Sequence, residues 1–162
     1  MDEQLETLAA EVGATLKARE LMLASAESCT GGWVGAAITS VSGSSQWYDR
    51  GFITYTDQAK QDMLGVDEAT LDFYGAVSEE TAREMAQGAL QQSWADVSLA
   101  ISGIAGPTGG TEEKPVGLVW FAWATKNGTI HSEKHLFPGD RREVRRQAVE
   151  TALKGVLALL NL

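Results

Sequence analysis

The sequence is poor in cysteine, histidine and basic residues, and these shortages exclude several kinds of protein. Cys29 is the only cysteine among 162 residues, so neither an internal disulfide nor a cysteine-based metal cluster can form. His131 and His135 have no third ligand in view, which argues against a catalytic metal. The net charge of −9 disfavours nucleic-acid binding, which depends on Lys and Arg to neutralise phosphates. We therefore expect no metal, no cofactor and no nucleic-acid partner.

Long apolar runs are also missing. No stretch approaches the ~20 apolar residues that a membrane-spanning helix needs. The start Met1-Asp2-Glu3 lacks the basic residues of a signal peptide. These features predict a cytoplasmic protein with no membrane partner. The length of 162 residues predicts one domain, residues 1–162, that can bury a full hydrophobic core.

Helix and strand patterns alternate along most of the chain. Alternation predicts parallel pairing of the first three strands, and the short glycine-rich link after the third strand predicts an antiparallel step. Asn127-Gly128 predicts a hairpin between the last two strands. The fold class is therefore α/β, a three-layer α/β/α sandwich with a mixed, mostly parallel five-stranded sheet of order 2-1-3-4-5 in which strand 4 is antiparallel. The predicted strands are 21–26, 51–56, 97–102, 116–124 and 129–136, and the predicted helices are 2–19, 30–41, 58–64, 78–92 and 140 to the C-terminus.

The most informative segment is Ala26-Glu27-Ser28-Cys29-Thr30-Gly31-Gly32, which joins the first strand to a helix. A sharp strand-to-helix turn suits an activated serine, because it exposes the hydroxyl beside N–H groups that can stabilise an oxyanion. Ser28 is the favoured nucleophile, and topology makes Lys60 and Tyr55 the nearest candidates for its base. Cys29 is an alternative nucleophile, because a helix start lowers a thiol pKa. Glu27 is either a general acid/base or a hydrogen-bonding anchor of the turn.

Other unusual loops are expected at the same edge of the sheet, where open α/β sheets bind ligands. The loop 103–115 is glycine-rich and can form an anion-binding nest, although it matches neither the P-loop nor the Rossmann glycine pattern. Arg141 is the best candidate to pair with a phosphate or carboxylate, whereas Arg142, Arg145 and Arg146 are predicted to form a solvated face. The predicted substrate-binding residues are Thr30, Gly31, Gly32, Gly103, Gly106, Thr108, Gly109 and Arg141.

Several segments, in this order along nearly the whole chain, resemble the CinA C-terminal domain family. They are Ala26–Gly32, the segment from Gly43-Ser44-Ser45 to Gly51-Phe52-Ile53-Thr54-Tyr55, Gly75-Ala76-Val77-Ser78, Ser102-Gly103-Ile104-Ala105-Gly106-Pro107, Lys114-Pro115-Val116-Gly117 and Phe137-Pro138-Gly139-Asp140-Arg141. The family fold is a three-layer α/β/α domain with a mixed five-stranded sheet, which agrees with the fold derived above.

The resemblance implies an activity. Stand-alone members of the family hydrolyse the carboxamide of nicotinamide mononucleotide to nicotinic acid mononucleotide and ammonia, in pyridine nucleotide (NAD) recycling. It implies Ser28 as nucleophile, Lys60 and Tyr55 as proton-handling partners, and no metal. A catalytically silent nucleotide-binding or competence-related paralogue and an amidase with another substrate are the alternatives. We further expect a small-molecule nucleotide as partner and a homodimer, which is common among small α/β hydrolases.

Overall fold

The computed structural model describes residues 2–161. Five strands and six α-helices follow one another along this part of the chain. The strands are β1 Leu23–Glu27, β2 Tyr48–Ile53, β3 Val97–Gly103, β4 Leu118–Thr125 and β5 Ile130–Leu136. The helices are α1 Glu3–Ala18, α2 Trp33–Thr39, α3 Asp57–Leu64, α4 Glu68–Tyr74, α5 Glu79–Gln91 and α6 Arg141–Leu160, with a short 3₁₀ turn over Ser44–Gln46.

Side chains placed just before the helices explain where most of them begin. Asp2 accepts hydrogen bonds from two N–H groups in the first turn of α1. Ser78 accepts from Thr81 N at the start of α5, and Asp140 accepts from Glu143 N at the start of α6. Such caps satisfy N–H groups that a helix start otherwise leaves without a partner.

The sheet has the order β2-β1-β3-β4-β5. β1 pairs in parallel with both β2 and β3, whereas β4 is antiparallel to β3 and to β5. The predicted fold class, strand order and antiparallel fourth strand are therefore confirmed. The same topology brings the carboxyl ends of β1, β2, β3 and β5 to one edge.

Two apolar cores lie on opposite faces of the sheet, as the alternation of side chains along a strand requires. Leu23 of β1 belongs to the core formed with α1, α2 and α6. Its neighbour Ala24 belongs to the core formed with α3, α4 and α5. None of the helices in residues 2–161 combines the length and the apolar character that a membrane crossing requires.

Several predicted boundaries were wrong. β2 covers Tyr48–Ile53, not 51–56, so Tyr55 lies in the link beyond the strand. β2 is an edge strand in which no residue is buried, and apolar periodicity therefore marks its limits poorly. Helix α4 was not predicted. It has seven residues, of which only Leu71 is buried, and so leaves almost no periodic pattern.

Candidate active site

A cleft of about 280 Å³ lies at the carboxyl ends of the parallel strands. It brings together five of the predicted catalytic and substrate-binding residues, namely Ser28, Tyr55, Lys60, Gly103 and Arg141, with the alternative nucleophile Cys29 beside them. The other residues that line it are Thr56, Asp57, Ala76, Val77, Ser102 and Ala105. Of these, Ala76 and Val77 were found in the sequence only as part of the resemblance, and Thr56 and Asp57 were not predicted as site residues. Asp57 was predicted to cap the helix that follows, but the cap is Thr56.

Ser28 and Lys60 form a hydrogen-bonded pair on the floor of the cleft. Lys60 Nζ donates to Ser28 Oγ at 3.1 Å and to the Thr54 carbonyl at 2.9 Å. Lys60 is 1% exposed and Ser28 is 8% exposed. Burial lowers the pKa of Lys60, because a charged ammonium loses hydration there, while the negative charge of Asp57 opposes this shift. A lysine of lowered pKa in contact with a hydroxyl can act as its base.

The local sequence places Lys60 in the first turn of a helix that starts where β2 ends. Thr56 caps α3 by accepting from Ala59 N at 3.1 Å. Lys60 is the fourth residue of that helix, and its side chain reaches back to the turn after β1. Lys60 is therefore not a solvated helix lysine.

Glu27 anchors the turn that carries Ser28. Its carboxylate is 2% exposed and accepts from Thr30 Oγ1 at 2.6 Å. It also accepts from the backbone N–H groups of Gly32, Val34 and Gly35, at 3.2, 2.9 and 3.1 Å. The start of α2, whose N-cap Gly32 has no side chain, is thus capped by a residue of β1. Of its two sequence interpretations, the geometry supports the anchor.

This arrangement determines which backbone donors of the turn are engaged. Gly32 N donates to Glu27, Gly31 N donates to Ser28 O at 3.1 Å, and neither residue lines the cleft. Thr30 is fully buried with its hydroxyl on Glu27. Within residues 2–161, the N–H groups of Cys29 and Thr30 donate to no backbone carbonyl, although the Cys29 N–H contacts the sulfur of its own side chain. The substrate-binding role of Thr30, Gly31 and Gly32 stays a prediction.

Cys29 lines the cleft but is poorly suited to nucleophilic attack. Burial raises the pKa of its thiol to about 11, although the positive charge of Arg145 works in the opposite direction. At neutral pH the side chain is therefore a thiol and not the reactive thiolate. The low reactivity of the Cys29 thiol favours Ser28 over Cys29 as the nucleophile.

Tyr55 and Arg141 form the outer wall of the cleft. Arg141 Nη2 donates to Tyr55 Oη at 3.0 Å, and Nη1 donates to the Gly106 carbonyl at 2.8 Å. The Tyr55 ring is 58% exposed, and its hydroxyl contacts Arg141, whereas Lys60 contacts Ser28 and Thr54. Arg141 thereby links the start of α6 to the glycine-rich loop and to the link after β2.

The glycine-rich loop folds against the segment that leads into β4. Gly106 has a φ of +81°, and a Cβ there would lie 2.4 Å from the Val116 side chain, so only glycine fits. Thr108 and Gly109 lie exposed farther along the loop and do not line the cleft. Their predicted contacts with substrate, like that of Gly106, stay predictions.

Two arginines of α6 differ from the solvated face that the sequence predicted. Arg145 Nε donates to Cys29 O at 3.0 Å and Nη2 donates to Thr30 O at 3.2 Å. Arg146 pairs with Asp2 and with Glu150. The contacts of Arg145 with the turn and of Arg146 with Asp2 cross the fold, so local sequence does not distinguish these two arginines from the exposed Arg142.

Among the described residues, His, Cys, Asp and Glu side chains form no group of three placed to hold a metal ion. His131 and His135 lie on β5, and each contacts Glu133 at 3.1 Å. The absence of a metal or cofactor from the reaction stays a prediction.

Residues 5–160 match the family model described as the CinA C-terminal domain. The chain belongs to this family. A protein of Escherichia coli named nicotinamide-nucleotide amidohydrolase PncC is 54% identical over 153 residues, which cover 94% of this chain and 93% of the relative. A protein of the same name from Enterobacter agglomerans is 51% identical over 156 residues, 96% of this chain and 95% of the relative.

Solved structures of the family have the same fold. The crystal structure of the competence/damage inducible protein CihA from Agrobacterium tumefaciens superposes with a TM-score of 0.94 at 46% identity, covering 98% of this chain and 96% of that chain. A CinA superfamily protein from Escherichia coli superposes with a TM-score of 0.92 at 43% identity, covering 96% and 90%.

Proposed function

We propose that the protein is a nicotinamide-nucleotide amidohydrolase that converts nicotinamide mononucleotide and water to nicotinic acid mononucleotide and ammonia. The observation that carries the proposal is the buried hydrogen bond between Lys60 Nζ and Ser28 Oγ at 3.1 Å. Relatives named nicotinamide-nucleotide amidohydrolase, at 51% and 54% identity over nearly the whole chain, support the substrate. The reaction would serve pyridine nucleotide recycling in the cytoplasm.

Acylation begins with Ser28 Oγ attacking the carboxamide carbon. The Oγ–C bond forms, the Oγ proton passes to neutral Lys60, and the C=O electron pair moves to oxygen. The Cys29 and Thr30 N–H groups, which donate to no backbone carbonyl within residues 2–161, would donate to that oxyanion. This is the usual position for one donor, the N–H of the residue after the nucleophile.

The second half of the reaction regenerates the dyad. Lys60 gives its proton to the amide nitrogen, the C–N bond breaks, and ammonia leaves an acyl-enzyme. Water then adds to the ester carbon while Lys60 takes its proton. Return of that proton to Ser28 Oγ breaks the ester bond and releases nicotinic acid mononucleotide.

The outer wall of the cleft supports recognition of the nucleotide part. Arg141 supplies a guanidinium next to Gly106, where a 5′-phosphate could bind through charge-assisted hydrogen bonds. Asp57 also lines the cleft, and its negative charge would direct the phosphate to the Arg141 side. Tyr55 contacts Arg141 and would lie beside the ribose or the ring, in addition to its predicted part in proton handling.

Ammonia release from nicotinamide mononucleotide tests the proposal. We expect wild-type protein to release ammonia with a chelator present, and Ser28→Ala to release none while unfolding at the same temperature. Ser98→Ala is a matched control, because it removes the hydroxyl of another buried serine. Ser98 lies on β3, and its hydroxyl donates to Ala86 O at 2.7 Å. We expect that variant to retain turnover.

Other outcomes would contradict the proposal in different ways. Full activity of Ser28→Ala would exclude the serine mechanism, and activity that the chelator abolishes would exclude a metal-free one. Saturable binding of the nucleotide without ammonia release would identify a silent paralogue. Release of ammonia from other amides, but not from this nucleotide, would identify an amidase of different specificity.

A further inference from the structure

Arg145 lies behind the turn that carries the nucleophile and is not part of the cleft lining. Its guanidinium donates to the carbonyls of Cys29 and Thr30. The same group lies over the Trp33 ring, 5.6 Å from the ring centroid. A planar guanidinium held along its Nε–Nη2 edge and over one face has little freedom to rotate, so its position relative to the turn is well defined.

The Cys29 carbonyl, which Arg145 holds, shares a peptide unit with the Thr30 N–H. The peptide bond between Cys29 and Thr30 is trans, and in a trans unit the C=O and the N–H point in opposite directions. Fixing Cys29 O on the Arg145 side therefore directs the Thr30 N–H away from Arg145.

The preceding peptide unit is restrained in the same manner. Ser28 O accepts from Gly31 N at 3.1 Å, and the N–H at the other end of that unit belongs to Cys29. Both N–H groups, which donate to no backbone carbonyl within residues 2–161, thus belong to peptide units whose carbonyls are held. The two peptide units differ in the group that holds the carbonyl. The Gly31 N–H holds Ser28 O, whereas the charged side chain of Arg145 holds Cys29 O.

The charge of Arg145 adds to its geometric effect. A cation bonded to a carbonyl oxygen polarises the peptide and strengthens its N–H as a donor. Oxyanion stabilisation depends on donors oriented before the charge develops. The exposed Arg142 lies equally close to Trp33, 5.5 Å from its centroid, but contacts neither carbonyl.

We propose that Arg145 is a positioning residue of the oxyanion site, which acts by holding the Cys29–Thr30 peptide with its N–H directed at the substrate oxygen. The inference rests on the proposed function in one respect, because the natural oxyanion arises only when Ser28 attacks a carbonyl. It assigns to α6 a part in the chemical step that is separate from the contact of Arg141 with the outer wall.

The first test compares Arg145→Ala with the matched control Arg142→Ala. We expect Arg145→Ala to lower kcat by about 10–100-fold with little change in KM, less than the 10²–10³-fold cost of removing a donor altogether. Arg142→Ala should leave kcat unchanged. Arg145→Lys should recover part of the loss, because an ammonium can still reach Cys29 O but cannot bond both carbonyls as a fork.

A purely structural role for Arg145 predicts a different pattern. In that case Arg145→Ala would have a lower thermal midpoint, but its kcat per folded molecule would equal that of Arg142→Ala. This result would overturn the proposal. A change confined to KM would overturn it as well. If Arg145→Ala does not fold, Arg145→Lys carries the same comparison.

Labelling of Ser28 by a fluorophosphonate probe separates this inference from the proposed function. In that reaction the Oγ–P bond forms, the P–F bond breaks, fluoride leaves and the Oγ proton passes to Lys60. The labelling rate is measured from the intact mass of the protein. Slower labelling of Arg145→Ala than of Arg142→Ala supports the positioning role even if no ammonia is released from the nucleotide. Equal labelling rates overturn it, whatever the natural substrate is.

Discussion

Lys60 is both fully buried and hydrogen-bonded to Ser28, so under the proposed mechanism its protonation state should control turnover. Only the neutral amine can take the Ser28 proton. Because burial lowers its pKa below 10.5, the neutral form becomes available at lower pH than for an exposed lysine. We expect kcat/KM to rise with pH with a midpoint below 10.5, as measured in a full pH–rate profile.

Substitution checks that assignment. Lys60→Arg should lose about 10²–10⁴-fold in kcat, because a guanidinium stays protonated and cannot act as a base. Lys17→Arg, an exposed substitution of the same kind on α1, should behave as wild type. A flat pH–rate profile or an active Lys60→Arg variant would exclude Lys60 as the base.

Arg141 donates to Tyr55 Oη and Gly106 O and still faces the cleft. Removing its charge should weaken binding of the phosphate group, with which it would make bonds of about 1.5–3 kcal/mol. We expect Arg141→Ala to raise KM by about 10–100-fold while kcat changes little, as measured by steady-state ammonia release. An unchanged KM would remove Arg141 from the phosphate site.

Tyr55→Phe tests whether the Tyr55 hydroxyl handles protons. Its Oη contacts Arg141, while Lys60 bonds Ser28 and Thr54, so we expect a rise in KM with a smaller effect on kcat. A loss of kcat as large as that of Lys60→Arg would instead support direct proton handling. The two parameters are obtained from one set of saturation curves.

Among the elements, α2 depends most on a residue outside itself. The buried Glu27 carboxylate accepts three backbone N–H bonds near the helix start and the Thr30 hydroxyl. Glu27→Ala should lower the free energy of unfolding by about 3 kcal/mol and the thermal midpoint by about 6–12 °C. The exposed Glu3→Ala in the first turn of α1 should change stability by less than about 0.5 kcal/mol. Equal midpoints for the two variants would contradict the anchoring role.

Helices and strands could be predicted from the sequence where their apolar periodicity matches the face that they bury in the fold. The order of strands followed from the alternation with helices and from Asn127-Gly128, which connects β4 to β5. Capping side chains such as Ser78 marked helix starts well. The limits of the edge strand β2 and the seven-residue α4 were missed, because neither buries a continuous face.

Some residues of the candidate site could likewise be predicted from the sequence, and others could not. Ser28, Lys60 and Arg141 could be selected because each follows or opens an element at one edge of the sheet. The roles of Glu27 and Arg145 could not be fixed. Glu27 had two interpretations in sequence, and the contact of Arg145 with the turn joins residues 116 positions apart.

For the whole molecule, paired carboxylates should determine stability in acid. The hydrogen bond to Arg146 lowers the pKa of Asp2, and the bond to Lys154 lowers that of Glu150. A lowered folded pKa gives stability that is present above the unfolded values of 3.8 and 4.5 and is lost as pH falls through the folded ones. Thermal midpoints should therefore fall below about pH 4.5, and Asp2→Asn should reduce that dependence. A midpoint independent of pH down to pH 3 would contradict this.

The assembly is a further prediction at this scale. We expect a homodimer, with a sedimenting mass about twice 17.3 kDa. Phe73 and Trp94 are 81% and 80% exposed, and large aromatic side chains of this kind are enriched in interfaces. A mass equal to that of one chain at micromolar concentration would exclude the dimer.

The contact between Arg145 and the turn has a consequence for biosynthesis. β1, α2 and α3 emerge from the ribosome long before α6, and folding during synthesis starts from the N-terminal side. A nascent chain that has not yet added its last helix already carries Ser28 and Lys60 but lacks the guanidinium behind the turn. The serine would thus become fully reactive only at the end of translation, and products of premature termination upstream of α6 would be poor hydrolases.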